Sequence, residues 1–93
     1  MREKSIVTAI QRWLKASGWL AVKLHGGPLQ CAGLPDLLVL VDGQAVWLEV
    51  KRPGQKPTRL QSHMTAKLRA AGCQVATVTS LTEAQRFIEE VRS

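Results

Sequence analysis

Asp36-Leu37-Leu38-Val39-Leu40-Val41-Asp42-Gly43-Gln44-Ala45-Val46-Trp47-Leu48-Glu49-Val50-Lys51 decides the fold. Two strand-like runs, Asp36–Val41 and Gln44–Lys51, flank Asp42-Gly43. That dipeptide is a strong hairpin signal, because a type I′ turn needs positive φ at both central positions. A two-residue turn sets the register. Val41 faces Gln44, Leu40 faces Ala45, Leu38 faces Trp47 and Asp36 faces Glu49. Opposed residues project from one face with Cβ atoms about 4.5–5.5 Å apart, and like charges so placed are destabilising. A shared proton or a divalent cation would neutralise the pair. Period-two alternation puts Glu49 and Lys51 on one face and Val46, Leu48 and Val50 on the other, toward the core.

Asp36, Glu49 and Lys51 thus converge at the open end of the hairpin. Mg²⁺ takes a few carboxylate oxygens and several waters at about 2.0–2.1 Å, and two carboxylates with a backbone carbonyl between them suit it. Such an ion acidifies its bound water and stabilises charge on a phosphoryl group. A neighbouring lysine can position the water or stabilise the anionic transition state. To act as a base its pKa must fall, and a nearby cation pushes it down. A surface ion pair of Lys51 with either acid would use the same residues and achieve little.

Outward from the hairpin, residues 2–17 read as a helix with Ile6, Ile10, Trp13 and Leu14 in one stripe and Ser17-Gly18 as its stop. Trp19–His25 alternates as a strand, and Gly26–Pro35 is a loop. After the Arg52–Pro57 loop, Thr58 to about Ala71 is a helix opened by the capping box Thr58-x-x-Gln61 and closed by Gly72. Cys73–Thr79 is a β-branched strand. Ser80-x-x-Glu83 opens a last helix to about Arg92, with Leu81, Ala84, Phe87, Ile88 and Val91 on its apolar face. The expectation is one α/β domain over residues 1–93, α-β-β-β-α-β-α, with a mixed four-stranded sheet flanked by helices.

The chain of 93 residues is 45% hydrophobic and 22% charged, an ordinary globular mix that argues against disorder. The apolar run Leu37–Val41 is too short to span a bilayer, and no secretory signal follows the N-terminus. Cys31 and Cys73 form no disulfide framework, so a reducing cytoplasm is expected. The net charge of +6 is unevenly distributed. Between Val50 and Thr82 there is no acid, while Lys51, Arg52, Lys56, Arg59, Lys67 and Arg69 fall there. A concentrated basic face favours a polyanion, most often nucleic acid; a merely solvated face is the plainer alternative.

Gly33-Leu34-Pro35-Asp36, then Glu49-Val50-Lys51 after twelve residues, resembles the PD-(D/E)XK nuclease signature. With Glu49-Val50-Lys51-Arg52-Pro53-Gly54 and Pro57-Thr58-x-x-Gln61, the chain more narrowly resembles the VRR-NUC (virus-type replication-repair nuclease) family. The resemblance implies the restriction-endonuclease core fold and Mg²⁺- or Mn²⁺-dependent hydrolysis of phosphodiesters. It implies Asp36, Glu49 and the Val50 carbonyl as metal ligands, Lys51 as the catalytic lysine, Glu3 as a first-helix glutamate at the metal, and Gln61 as a site glutamine. Stand-alone members of this size resemble homodimeric structure-specific endonucleases acting on branched DNA, notably four-way (Holliday) junctions, in phage or bacterial cytoplasm. Resolving a branch takes two cuts, and one unit carries one site. There is no room for a fused helicase, and neither a membrane nor a small-molecule substrate is expected.

Glu3 also suits a helix first turn electrostatically, and Gln61 is also a capping residue. Lys23 could contact the scissile phosphate or be a solvated strand lysine. His25 reads as a loop-edge residue rather than a base. His25, Cys31, His63 and Cys73 match no zinc spacing. Arg52, Lys56 and Arg59 read as DNA-backbone contacts, as do Lys67 and Arg69 unless merely solvated. Trp47 reads as core under the first helix rather than a stacking platform, and Trp13 and Trp19 as core or dimer contacts. The rival functions are a non-catalytic DNA-binding module of the same fold, a nicking or flap nuclease without junction preference, and an interaction protein.

Overall fold

At the hairpin tip, Asp42 takes φ 50° and Gly43 φ 80°, as a type I′ turn requires. In the computed structural model, which describes residues 2–24 and 32–93, the strands it joins are β2 (Leu37–Val41) and β3 (Gln44–Val50). Their antiparallel register runs from Val41↔Gln44 through Leu38↔Trp47 to Leu37↔Leu48, as the turn dictates. The remaining elements are α1 (Glu3–Ala16), β1 (Leu20–Lys23), α2 (Arg59–Ala70), β4 (Gln74–Val78) and α3 (Leu81–Arg92). The strand order is β1-β2-β3-β4. β1 is antiparallel to β2, and β4 is parallel to β3. The fold is the expected mixed four-stranded α/β sheet flanked by helices. β1 is shorter than its alternation suggests, and His25, with which that strand was expected to end, lies outside the described residues.

The core lies on one sheet face. Leu37, Val39, Val41, Val46, Leu48, Val50 and Val78 meet Ile6, Ile10 and Leu14 of α1 and Ala84, Ile88 and Val91 of α3. Burying each large aliphatic side chain contributes about 1.5–3 kcal/mol, so this stripe determines how α1 and α3 dock. Leu81 and Phe87 are half-buried against the same core. Gly18 ends α1 at φ 82°.

α2 lies on the opposite face and buries no residue fully. Its hold on the sheet includes a hydrogen bond from Arg69 Nη2 to the Val75 carbonyl, 2.9 Å. Trp47 is also on this side, because its side chain alternates with the buried Val46 and Leu48. It is half-buried and is not under the first helix. Strand parity overrides the preference of a large aromatic for the main core. Trp13 and Trp19 do pack against that core and meet edge to face at 5.5 Å.

Both halves of the Thr58–Gln61 capping box are formed. At Ser80 only one half is. The Ser80 hydroxyl accepts from the Glu83 N–H, but the Glu83 carboxylate accepts from the Thr79 N–H and hydroxyl instead of turning to Ser80.

Candidate active site

Asp36 sits where the β2–β3 ladder ends. Continued two residues beyond Leu37↔Leu48, the same register sets Val50 opposite Pro35. Proline has no N–H to offer the Val50 carbonyl. The Val50 N–H in turn is taken by Asp36 Oδ2 at 2.7 Å, while the Asp36 carbonyl accepts from Leu24 N–H at 2.8 Å. The aspartate is therefore aimed by the neighbouring strand's backbone, and the Val50 carbonyl has no ladder partner on that side. The missing proline N–H is the sequence signal for this arrangement.

Glu49 is 2% exposed and Lys51 5% exposed, and they are the two buried charged residues among those described. Lys51 Nζ lies 3.5 Å from Glu49 Oε2. Gln61 spans two tasks: its Oε1 accepts from the Thr58 N–H at 2.9 Å, and its Nε2 donates to Glu49 Oε2 at 3.3 Å. The cap locks the amide in the orientation that meets the acid. Glu3, the first residue of α1, reaches the same place. One carboxylate oxygen from each of Glu3, Asp36 and Glu49 falls within 4.8 Å of the others. Burial, and then the negative charge of Asp36, push the Glu49 carboxyl up to about 8, against the opposing pull of the Lys51 ammonium. Three acids so close need a proton or a cation among them. The donors are all oxygen, with a free backbone carbonyl beside them, which suits a hard divalent cation of the Mg²⁺ or Mn²⁺ kind.

Gly33 locks this loop to α2. It has φ 84°, and a Cβ there would meet the Leu60 carbonyl oxygen at 2.9 Å and Leu60 Cγ at 3.0 Å. The loop carrying Asp36 and the helix turn carrying Gln61 are thus in close contact, a packing with no signal in the local sequence.

The basic residues follow Lys51 through the next turn and along α2. Arg52-Pro53-Gly54-Gln55 forms a tight turn, with Gln55 N–H donating to the Arg52 carbonyl at 3.0 Å and Gly54 at φ 83°. Arg52, Lys56, Arg59, Lys67 and Arg69 are exposed. Lys23 is exposed too, but it pairs with Leu37 and leaves the sheet from the face opposite Glu49. Of the residues weighed for zinc, His25 and Cys31 lie outside the described residues, and His63 and Cys73 do not belong to the acidic cluster.

Two known proteins resemble this chain over most of its length. The chain is 36% identical over 81 residues to "Putative nuclease p44" of Acyrthosiphon pisum secondary endosymbiont phage 1, covering 86% of this chain and 85% of that one. A solved structure described as a VRR_NUC domain superposes with a TM-score of 0.81 at 29% identity, over 94% of each chain. The chain belongs to the VRR-NUC nuclease family. No model of a known protein family matches in a direct scan. The VRR-NUC assignment accounts for the strand order, including the parallel β4.

Proposed function

We propose that this VRR-NUC protein is a Mg²⁺- or Mn²⁺-dependent endodeoxyribonuclease that resolves four-way DNA junctions as a homodimer in phage-infected or bacterial cytoplasm. The observation that supports the reading most is the close set of Glu3, Asp36 and Glu49 with Lys51 beside it. Asp36, Glu49, Glu3 and the Val50 carbonyl would hold the cation. When bound, that cation supplies stabilisation of charge on the phosphoryl oxygens and lowers the pKa of water.

The chain's own residues do the rest. Lys51 holds an ammonium where the attacking water and a non-bridging phosphoryl oxygen can both be oriented. Water adds to phosphorus and one ester oxygen leaves. Gln61 fixes the rotamer of Glu49, and Asp36 is fixed by the Val50 N–H. Arg52, Lys56, Arg59, Lys67 and Arg69 hold the phosphate backbone, contacts that position DNA without reading its sequence. Two copies are needed to cut both strands of a branch.

The test uses labelled four-way junction, flap, duplex and single strand with Mg²⁺, Mn²⁺ or EDTA. Paired cuts in the junction with either metal, and none in EDTA, are expected. Asp36→Ala and Lys51→Ala should each lower cleavage by at least about 10²-fold while leaving junction binding in EDTA intact. Full cleavage by either variant would refute the site. A sedimentation profile showing only monomer at micromolar concentration would remove paired cutting.

A further inference from the structure

We propose that the turn following Lys51 is a phosphate site in which the Gln55 amide grips the DNA backbone beside the scissile phosphate. The inference rests on the nuclease reading above and adds a residue to it. Arg52, Pro53, Gly54 and Gln55 line a cleft of about 530 Å³, within the size range of small-molecule sites. The cleft begins one residue beyond Lys51, whose N–H donates to the Val78 carbonyl at 2.9 Å and so ties the base of the turn to β4. Nothing lies within 4 Å of where a Cβ at Gly54 would stand, so the turn is open to a passing strand.

In this otherwise exposed turn Gln55 is half-buried. Its side-chain Oε1 accepts from the Arg52 N–H at 3.1 Å, and its backbone N–H donates to the Arg52 carbonyl at 3.0 Å. A backbone N–H can only donate, so the amide must present its oxygen there. The NH₂ is thereby left as the polar end for a ligand, and it has no hydrogen-bond partner among the described residues. Gln61 uses the same device: a backbone N–H takes its oxygen, and its nitrogen serves the site. No carboxylate competes for the donors of the turn. No residue from Lys51 to Thr82 is acidic, and Glu49, the nearest acid in sequence, is buried against Lys51 and Gln61. Donors without a competing acid suit an oxyanion, and a phosphodiester is the oxyanion that a nuclease meets. Arg52 attracts it by charge, whereas the neutral Gln55 amide holds it by direction.

The test is binding of the full chain to a labelled DNA duplex in EDTA, across a salt series. A neutral donor releases no counterion, whereas each phosphate ion pair on duplex DNA contributes about 0.9 to the slope of log affinity against log salt. Gln55→Ala should therefore weaken binding about 10-fold at every salt concentration, with the slope of the parent. Arg52→Ala should lower the slope by about 0.9, and the double variant should show both losses in full. If Gln55 only held Arg52 in place, Gln55→Ala would lower the slope as Arg52→Ala does and would add nothing in the Arg52→Ala background. Either result, or unchanged affinity in Gln55→Ala, would overturn the site. Gln55→Glu keeps an acceptor for the Arg52 N–H, so its denaturation midpoint should stay with the parent while its affinity falls at least as far as that of Gln55→Ala. Parent-like affinity in that variant would overturn the site as well. The nuclease reading fails separately, by absence of a metal-dependent product, and such a failure would leave the binding results unchanged.

Discussion

Glu49 is a carboxylate in a place where a carboxylate is costly. It is buried, it faces Asp36, and a single ammonium opposes both effects. Removing its amide partner separates orientation from charge. Gln61→Ala deletes a hydrogen bond to the acid and half of a helix cap, whereas Thr58→Ala deletes only the other half of the cap. Each should cost about 0.5–2 kcal/mol of stability. If the amide orients Glu49, then Gln61→Ala should also lower kcat by about 10-fold or more and Thr58→Ala should not; equal losses of kcat would make Gln61 purely structural. Gly33 is the other residue whose identity matters to the site. Gly33→Ala adds a Cβ at φ 84° and drives it into the Leu60 backbone. Such strain costs on the order of 1–3 kcal/mol, measurable as a lower denaturant midpoint. The equivalent change at Gly54, φ 83°, meets nothing within 4 Å and should cost less.

At the scale of elements, the hairpin governs the site and the helices secure the hairpin. Its tip is held by Arg92, whose Nε lies 2.7 Å from Asp42 Oδ2 and whose guanidinium stacks 5.0 Å from the Trp19 ring centroid. Both ends of the ion pair are half exposed, and exposed pairs contribute little. Arg92→Ala should therefore shift stability by less than about 1 kcal/mol, most of it from the lost stacking. A larger loss in chemical denaturation would mean that α3 depends on this latch rather than on Ala84, Ile88 and Val91. At the start of α3, hydrogen bonds from the Thr79 backbone and hydroxyl hold the Glu83 carboxyl below its ordinary range. The helix start therefore keeps its carboxylate charged at mildly acid pH.

For the whole molecule, the raised Glu49 carboxyl links stability to pH. Between pH 4.5, its ordinary value, and about 8 the folded chain keeps a proton that the unfolded chain has lost. The folded state binds more protons in that window, so stability must fall as pH rises through it. The loss is on the order of a few kcal/mol. Calorimetry in EDTA should show Tm falling from pH 5 to pH 8.5, with the slope flattened in Glu49→Gln. Millimolar Mn²⁺ should restore Tm at pH 8.5, since a cation takes over the neutralising task of the proton. A Tm that ignores both pH and Mn²⁺ would contradict the acidic cluster as drawn.

The order of elements, the type I′ turn and the hairpin register were legible from local chemistry: Asp42-Gly43, alternating apolar residues and capping pairs act over a few residues. So was the meeting of Asp36 with Glu49 and Lys51, because a two-residue turn admits one register. Glu3 and Gln61 were legible only through family resemblance, since nothing in their neighbourhood of the chain says that two helices reach the same carboxylate. The aim of Asp36 onto the Val50 N–H is local to the hairpin and had its signal in Pro35, whereas the contact of Gly33 with Leu60 and the placing of Trp47 on the α2 side rather than beneath α1 belong to the tertiary structure. Each depends on which sheet face a distant element covers, and that is settled by the burial of the whole core rather than by any short stretch of sequence.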